Sequence, residues 1–480
     1  MKIHSVKYNF IMNTILTVSS ILFPMITFPY ISRALLVEGS GKVAFATSAV
    51  TYFTMFATLG IPTYGIRACA VVRDDKEKLS QTVQELLIIS AITTAITYIA
   101  FFVSLFLIPE FYAKKELMMV MGISIGLTTI GVQWFYNALE QYSYITTCAI
   151  VFKLIGLFLM FLLVRDPSDY VMYGFVYIIG SFGSYVLNFI RLRKFISFRK
   201  RKTYDLRRHM KPTIMFFLLS AASSVYLNLD VVMLGFLKGD SEVGYYNAAI
   251  KVKSVLTTCV TSLGTVLLPR LSYYAEKQEK EAFYNMVKKA FQFVFLLATP
   301  VMLYFMLYAK EAILFLAGDS FGASVLPMIV LMPTVLFIGI SNITGIQVLT
   351  PLGEEKKVVI SVLAGAILDF ILNLILIPKM GSAGAATSTL MAEILVVIVQ
   401  AAYLRDELKY MLQGINFGKI LLPLIAATAV GIGMRMIIHL SPFLALVVTA
   451  AVFFGVYGIL LLLVKEEFIM ELLGSVFRKK

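Results

Sequence analysis

Stretches of about twenty consecutive apolar residues recur along this whole chain, and nothing else narrows its possible folds so far. A helix of roughly 20 residues, rising 1.5 Å at each, crosses the apolar layer of a bilayer. Fourteen such stretches can be marked, near 10–31, 43–63, 84–108, 117–139, 145–164, 170–190, 213–237, 243–268, 289–309, 323–346, 357–378, 383–404, 418–439 and 443–464. Their length excludes the ten-residue alternating strands of a membrane β-barrel. The chain is 59% hydrophobic and 15% charged, whereas soluble domains are about 45–50% apolar and about 25% charged. A core cannot absorb that excess, so the surface itself is apolar and its solvent is lipid. The expected fold is all-α: a polytopic membrane protein with about fourteen transmembrane helices. The first stretch follows Lys2 and Lys7, as a signal peptide would, but its 22 residues are too many for a signal core, and it is expected to stay as a helix.

The net charge of +14 is unevenly distributed. With the N-terminus inside, the inner connections hold 30 Lys and Arg, the outer ones eight, and the spans four. This positive-inside bias predicts a multi-pass membrane protein with both termini cytoplasmic. The segment RLRKFISFRKRKTYDLRRHMK, 191–211, carries ten of those cations against Asp205 alone. No nucleic-acid module surrounds it. It reads as a cytoplasmic connection that orients the chain and meets anionic lipid headgroups.

A repeat runs beneath this pattern. A shift of 203 residues lays Gly41 on Gly244 and Arg67 on Arg270, and carries the third and fourth spans onto the ninth and tenth. A shift of 213 carries the fifth and sixth onto the eleventh and twelfth. The expected organisation is two pseudo-symmetric six-helix lobes, 1–200 and 201–405, followed by two additional spans and a cytoplasmic tail, 406–480. An even number of helices in each lobe gives both the same orientation, as in transporters built from parallel repeats that rock about a central site.

Catalytic motifs do not survive their context. GSGK, 39–42, lacks the flanking Gly and Ser/Thr of a phosphate loop. GISIG, 122–126, fits the nucleophile-elbow pattern but lies inside a span, where small residues serve helix contact. His4, His209 and His439 are scattered, and Cys69, Cys148 and Cys259 have no metal or redox spacing. No cofactor, metal or enzymatic reaction is expected.

Ionisable residues inside spans are costly and mark functional cavities. Asp230 and Lys251 lie equally far from the turn near 240, with Lys251 roughly 12 Å below the outer end of its helix. They form either a structural pair or a cationic site for an anion, with Asp230 tuning it. Lys253 follows two residues on, about 200° round the helix. Asp369 and Glu393 are similarly placed about a turn near 380, and Asn373 shares the face of Asp369. These three are candidates for binding a proton or sodium ion. Lys153 lies within the fifth span, and Arg33 caps the first, either snorkelling or lining a cavity mouth.

FPYISRALLVEGSGKVAFATSAVTYF, 28–53, resembles the first hairpin of bacterial oligosaccharide-lipid flippases, the O-antigen and capsular repeat-unit flippases. LDVVMLGFLKGDSEVGYYNAAIKV and LNLILIPKMGSAGAATSTLMAE resemble later segments of that family. The family belongs to the superfamily that also holds multidrug antiporters and lipid II flippases. One departure is Leu36, where the resemblance leads one to expect glycine after Arg33-Ala34-Leu35. The resemblance implies transport of an undecaprenyl-diphosphate-linked oligosaccharide from the inner to the outer leaflet, with a polysaccharide polymerase among the partners. Lys251, Lys253, Lys153 and Arg33 would then face the diphosphate. The alternatives are a cation-coupled multidrug exporter and, from a different class, a membrane polysaccharide polymerase. The exporter would want an acidic site, and the polymerase a larger outer loop.

Overall fold

The computed structural model describes residues 5–201, 203–437 and 440–477. His4, His439 and the terminal cations 478–480 lie outside them. The described residues are mostly helical, without a strand. Contacts divide the chain into two compact units, Met1–Gly244 and Tyr245–Lys480.

The first unit holds α1 (Val6–Thr58), α2 (Ile61–Val71), α3 (Lys76–Leu107), α4 (Pro109–Tyr112), α5 (Lys115–Ile130), α6 (Gln133–Ala138), α7 (Tyr142–Leu163), α8 (Tyr170–Leu192), α9 (Arg207–Leu237) and the start of α10 (Asp240–Glu276). Ser5 caps α1, and the Asp75 carboxylate caps α3 by accepting from the backbone N–H groups of Glu77 and Lys78. α1 is not one straight rod. Leu36 breaks it at φ 56°, ψ −169°. Leu16 and Leu59, on either side of that break, pack against the same core, so the chain doubles back there.

Hydrogen bonds fix the directions of the neighbours. Thr146 donates to Met12 O at 3.1 Å, Lys153 to Ser19 Oγ at 3.1 Å, and Tyr30 to Val164 O at 2.7 Å, each across 134 residues. A constant offset means that the first arm of α1 and α7 run parallel. Thr94 meets Thr129 at 2.7 Å while Tyr98 donates to Gly122 O at 3.2 Å, so α3 and α5 run antiparallel. Phe56 meets Phe217 and Phe45 meets Phe236, so the second arm of α1 and α9 are also antiparallel. Lipid is as apolar as these side chains, so packing and hydrogen bonds hold such helices together.

In the second unit the chain continues through the rest of α10, then α11 (Lys280–Leu307), α12 (Ala309–Ala317), α13 (Val325–Leu331) and α14 (Pro333–Ser341). It ends with α15 (Glu355–Met380), α16 (Ser382–Tyr403), α17 (Arg405–Leu412), α18 (Phe417–Ile437), α19 (Pro442–Leu463) and α20 (Glu467–Phe477). The span holding α13 and α14 bends by 40° at Pro333, whose ring cannot continue the preceding hydrogen-bond ladder. The two additional C-terminal spans, α18 and α19, pack on α11 through a shared core of Phe291, Tyr304, Leu424, Phe453 and Tyr457. Tyr308 donates to Gly431 O at 2.7 Å and Tyr304 to Leu446 O at 2.7 Å.

Among the described residues, eleven helices are long and apolar enough to cross a membrane, or twelve if the bent pair is one span. The longest of these, Lys7–Val71, contains the reversal at Leu36. The fourteen spans of the sequence count remain an expectation. The lobe boundary near 200 remains an expectation; the contact boundary lies at 244, and α9 makes its contacts with α1 and α2.

Candidate functional site

The charged residues expected inside spans fall in both units. In the first, Lys153 on α7 is half-buried and donates to two hydroxyls of α1, Ser19 Oγ at 3.1 Å and Ser20 Oγ at 2.9 Å. Neutral oxygens orient this ammonium without cancelling its charge. Arg33 is exposed near the reversal of α1 and folds back on its own helix, Nη1 donating to Pro29 O at 2.6 Å. Asp230 on α9 is buried.

In the second unit, Lys251 and Lys253 on α10 are half-buried. Neither forms an ion pair with a described carboxylate of that unit. Tyr246, fully buried on the same helix, shares a 2.8 Å hydrogen bond with Thr389 of α16. Seven residues on, Lys253 returns to nearly the face of Tyr246, whereas Lys251 lies about 140° away.

α15 and α16 form an antiparallel hairpin. Gln400 donates to Ser361 Oγ at 3.0 Å, and a Cβ at Gly365 would touch Ala392 O at 3.2 Å. That register sets Asp369 level with Glu393. Both are buried, as is Asn373, whose Nδ2 donates to Asp369 Oδ2 at 3.2 Å. The structure therefore gathers Asp369, Asn373 and Glu393 at one depth of one hairpin.

Two charged clusters were missed from sequence. Glu85 of α3 is fully buried, receiving Arg208 and the His209 ring, the latter at 2.9 Å. Its signal was available, since Glu85 opens the apolar stretch 84–108. The other is the Lys114–Asp240 ion pair, 3.1 Å long and nearly buried. Both residues sit in connections, where sequence gives no partner. Among the described residues, no group of His, Cys, Asp and Glu could hold a metal ion.

The chain is 23% identical over 405 residues to a candidate O-antigen transporter of Escherichia coli (strain K12), covering 84% of this chain and 97% of that one. It is 28% identical over 400 residues to a candidate O-antigen transporter of Shigella dysenteriae, covering 82% and 98%. Among solved structures, it resembles the lipid II flippase MurJ in an inward closed conformation, with a TM-score of 0.71 and 15% identity over 93% of this chain and 97% of that one. It also resembles an inward-facing MATE-family multidrug transporter, with a TM-score of 0.56 and 15% identity over 82% and 99%. These two likenesses show a shared fold. Residues 6–275 match the family described as polysaccharide biosynthesis protein, so the chain is a multi-pass membrane protein that belongs to that polysaccharide biosynthesis family.

Proposed function

We propose that this protein is a flippase that carries a polyprenyl-diphosphate-linked oligosaccharide repeat unit from the inner to the outer leaflet of a bacterial plasma membrane by alternating access. The observation that carries this reading is the set of half-buried cations within the spans. Lys153 donates to the hydroxyls of Ser19 and Ser20, and Lys251 and Lys253 have no described carboxylate partner in their own unit. A diphosphate needs such charge to replace its hydration in the apolar layer. The polyprenyl tail stays in lipid while the headgroup passes, and both termini face the cytoplasm. The polymerase that consumes the delivered unit is the expected partner, and anionic lipids contact the basic segment.

Asp369, Asn373 and Glu393 form an acidic set suited to a coupling proton or sodium ion. They are also the feature that favours the second reading, a cation-coupled multidrug exporter. The test reconstitutes the chain in vesicles with undecaprenyl-diphosphate oligosaccharide or a cationic dye. Flipping of the lipid-linked sugar is expected, with Lys251→Ala slowing it by roughly tenfold or more, the equivalent of one lost charge-assisted contact. If Lys251 merely balances Asp230, the Asp230→Ala, Lys251→Ala double variant recovers full activity. Movement of the dye alone would replace the flippase reading by the exporter.

A further inference from the structure

The repeat leaves a reciprocal contact that neither composition nor charge announces. The shift of 203 carries Val37 to Asp240 and Gly41 to Gly244. A Cβ at Gly41 would collide with Asp240 O and lie 3.0 Å from Gly244 N, whereas a Cβ at Gly244 would collide with Val37 O. Each glycine thus presses on the backbone of the residue equivalent to its own neighbour, as across a two-fold axis. Only glycine allows this approach.

Around this contact the turns are locked further. Lys114, at the start of α5, pairs with Asp240 at 3.1 Å, with only 9% and 13% of the two side chains exposed. The same ammonium stands 5.0 Å over the Phe45 ring. Phe45, Phe111 and Phe236 close a triangle, with ring centroids 5.4–5.9 Å apart. All these residues lie in the first compact unit, at the helix ends remote from Arg208 and His209.

We propose that the turns at 36–45 and 235–244 form the outer gate, shut in this structure by the Gly41–Gly244 contact and latched by Lys114–Asp240 over the three phenylalanines. Rocking carriers built from repeats must part equivalent hairpins on one side to release cargo. Backbone contact through glycine has two discrete states, seated or parted, and a buried ion pair sharpens the choice between them. The transport half of this proposal rests on the flippase reading, but the accessibility half does not.

The experiment uses the full chain in cells, with Cys69, Cys148 and Cys259 changed to Ser. A Cβ at Gly235 would lie 3.0 Å from Phe45 Cγ, so cysteines at 45 and 235 meet at disulfide distance. Oxidising the Phe45→Cys, Gly235→Cys variant is expected to stop transport, and reduction to restore it. A disulfide that forms and leaves transport intact would overturn the gate. The second arm needs no substrate. Phe45→Cys alone, at a fully buried position, is expected to react slowly with a membrane-impermeant maleimide added outside. Adding Gly41→Val or Asp240→Ala should speed that reaction severalfold, and an unchanged rate in both would overturn the proposal. Faster labelling in a chain that flips no lipid-linked oligosaccharide would keep the gate and remove the flippase reading.

Discussion

Leu36 occupies φ 56°, ψ −169°, a region open almost only to glycine, and it does so at the reversal of α1. The sequence marks the same position from another side, because the family resemblance leads one to expect glycine there. The side chain is 43% exposed, so removing it forfeits little packing. Strain in this region costs about 1–3 kcal/mol, against about 0.5–1 kcal/mol of added chain entropy for glycine. Leu36→Gly should therefore raise the unfolding temperature of the purified protein in detergent, with the fold unchanged. A lower temperature would mean that Leu36 is held by contacts rather than tolerated. Lys153 makes the complementary point. Its depth was legible from sequence, but its partners Ser19 and Ser20, on a helix 134 and 133 residues away, were not. Ordinary hydroxyls carry no signal until the fold brings them to a charge.

Among the elements, α9 shows most clearly where sequence reading stops. Its inner end lies in the basic segment 191–211, whose cations read as orientation signals because so many stand together. The structure ties that segment to a buried acid. Arg208 and His209 close on the buried Glu85, and Tyr64 shares a 2.8 Å hydrogen bond with His209 Nδ1. Period and composition identify α9 as a span, but only its packing shows which of ten cations are held. Burial holds the His209 imidazole below its ordinary range, although the neighbouring Glu85 carboxylate pulls the other way. The neutral ring is thus favoured in the folded state. As pH falls through the unfolded value near 6.5, the unfolded chain takes up the proton first, so stability drops with acidification. Trp134, the sole tryptophan, lies in the same core as Tyr64. Its emission should therefore shift between pH 7.5 and 5.5 in the native chain and shift much less in His209→Gln. Equal shifts in both would assign the effect to other groups.

For the whole molecule, orientation follows from a single fixed point. The first arm of α1 runs parallel to α7, α3 runs antiparallel to α5, and α9 runs antiparallel to the second arm of α1. Directions therefore alternate from the N-terminus to the turn at Lys238, and this alternation does not depend on how many spans follow. The sequence reached the same alternation by weighing 30 inner against eight outer cations. It was legible because charge bias and helix length act locally. The reciprocal glycine contact was not, because it depends on packing between helices. If the basic segment is cytoplasmic, as its ten cations predict, then Lys238 lies outside. In a chain whose native cysteines are changed to Ser, Lys238→Cys should react with an impermeant maleimide on intact cells. Lys200→Cys should react only after the membrane is opened. Neither substitution touches a span, so both proteins should insert as the parent does. Labelling of Lys200→Cys from outside would invert every assignment from α1 to α9, and would move the gate at Gly41 and Gly244 to the cytoplasmic face.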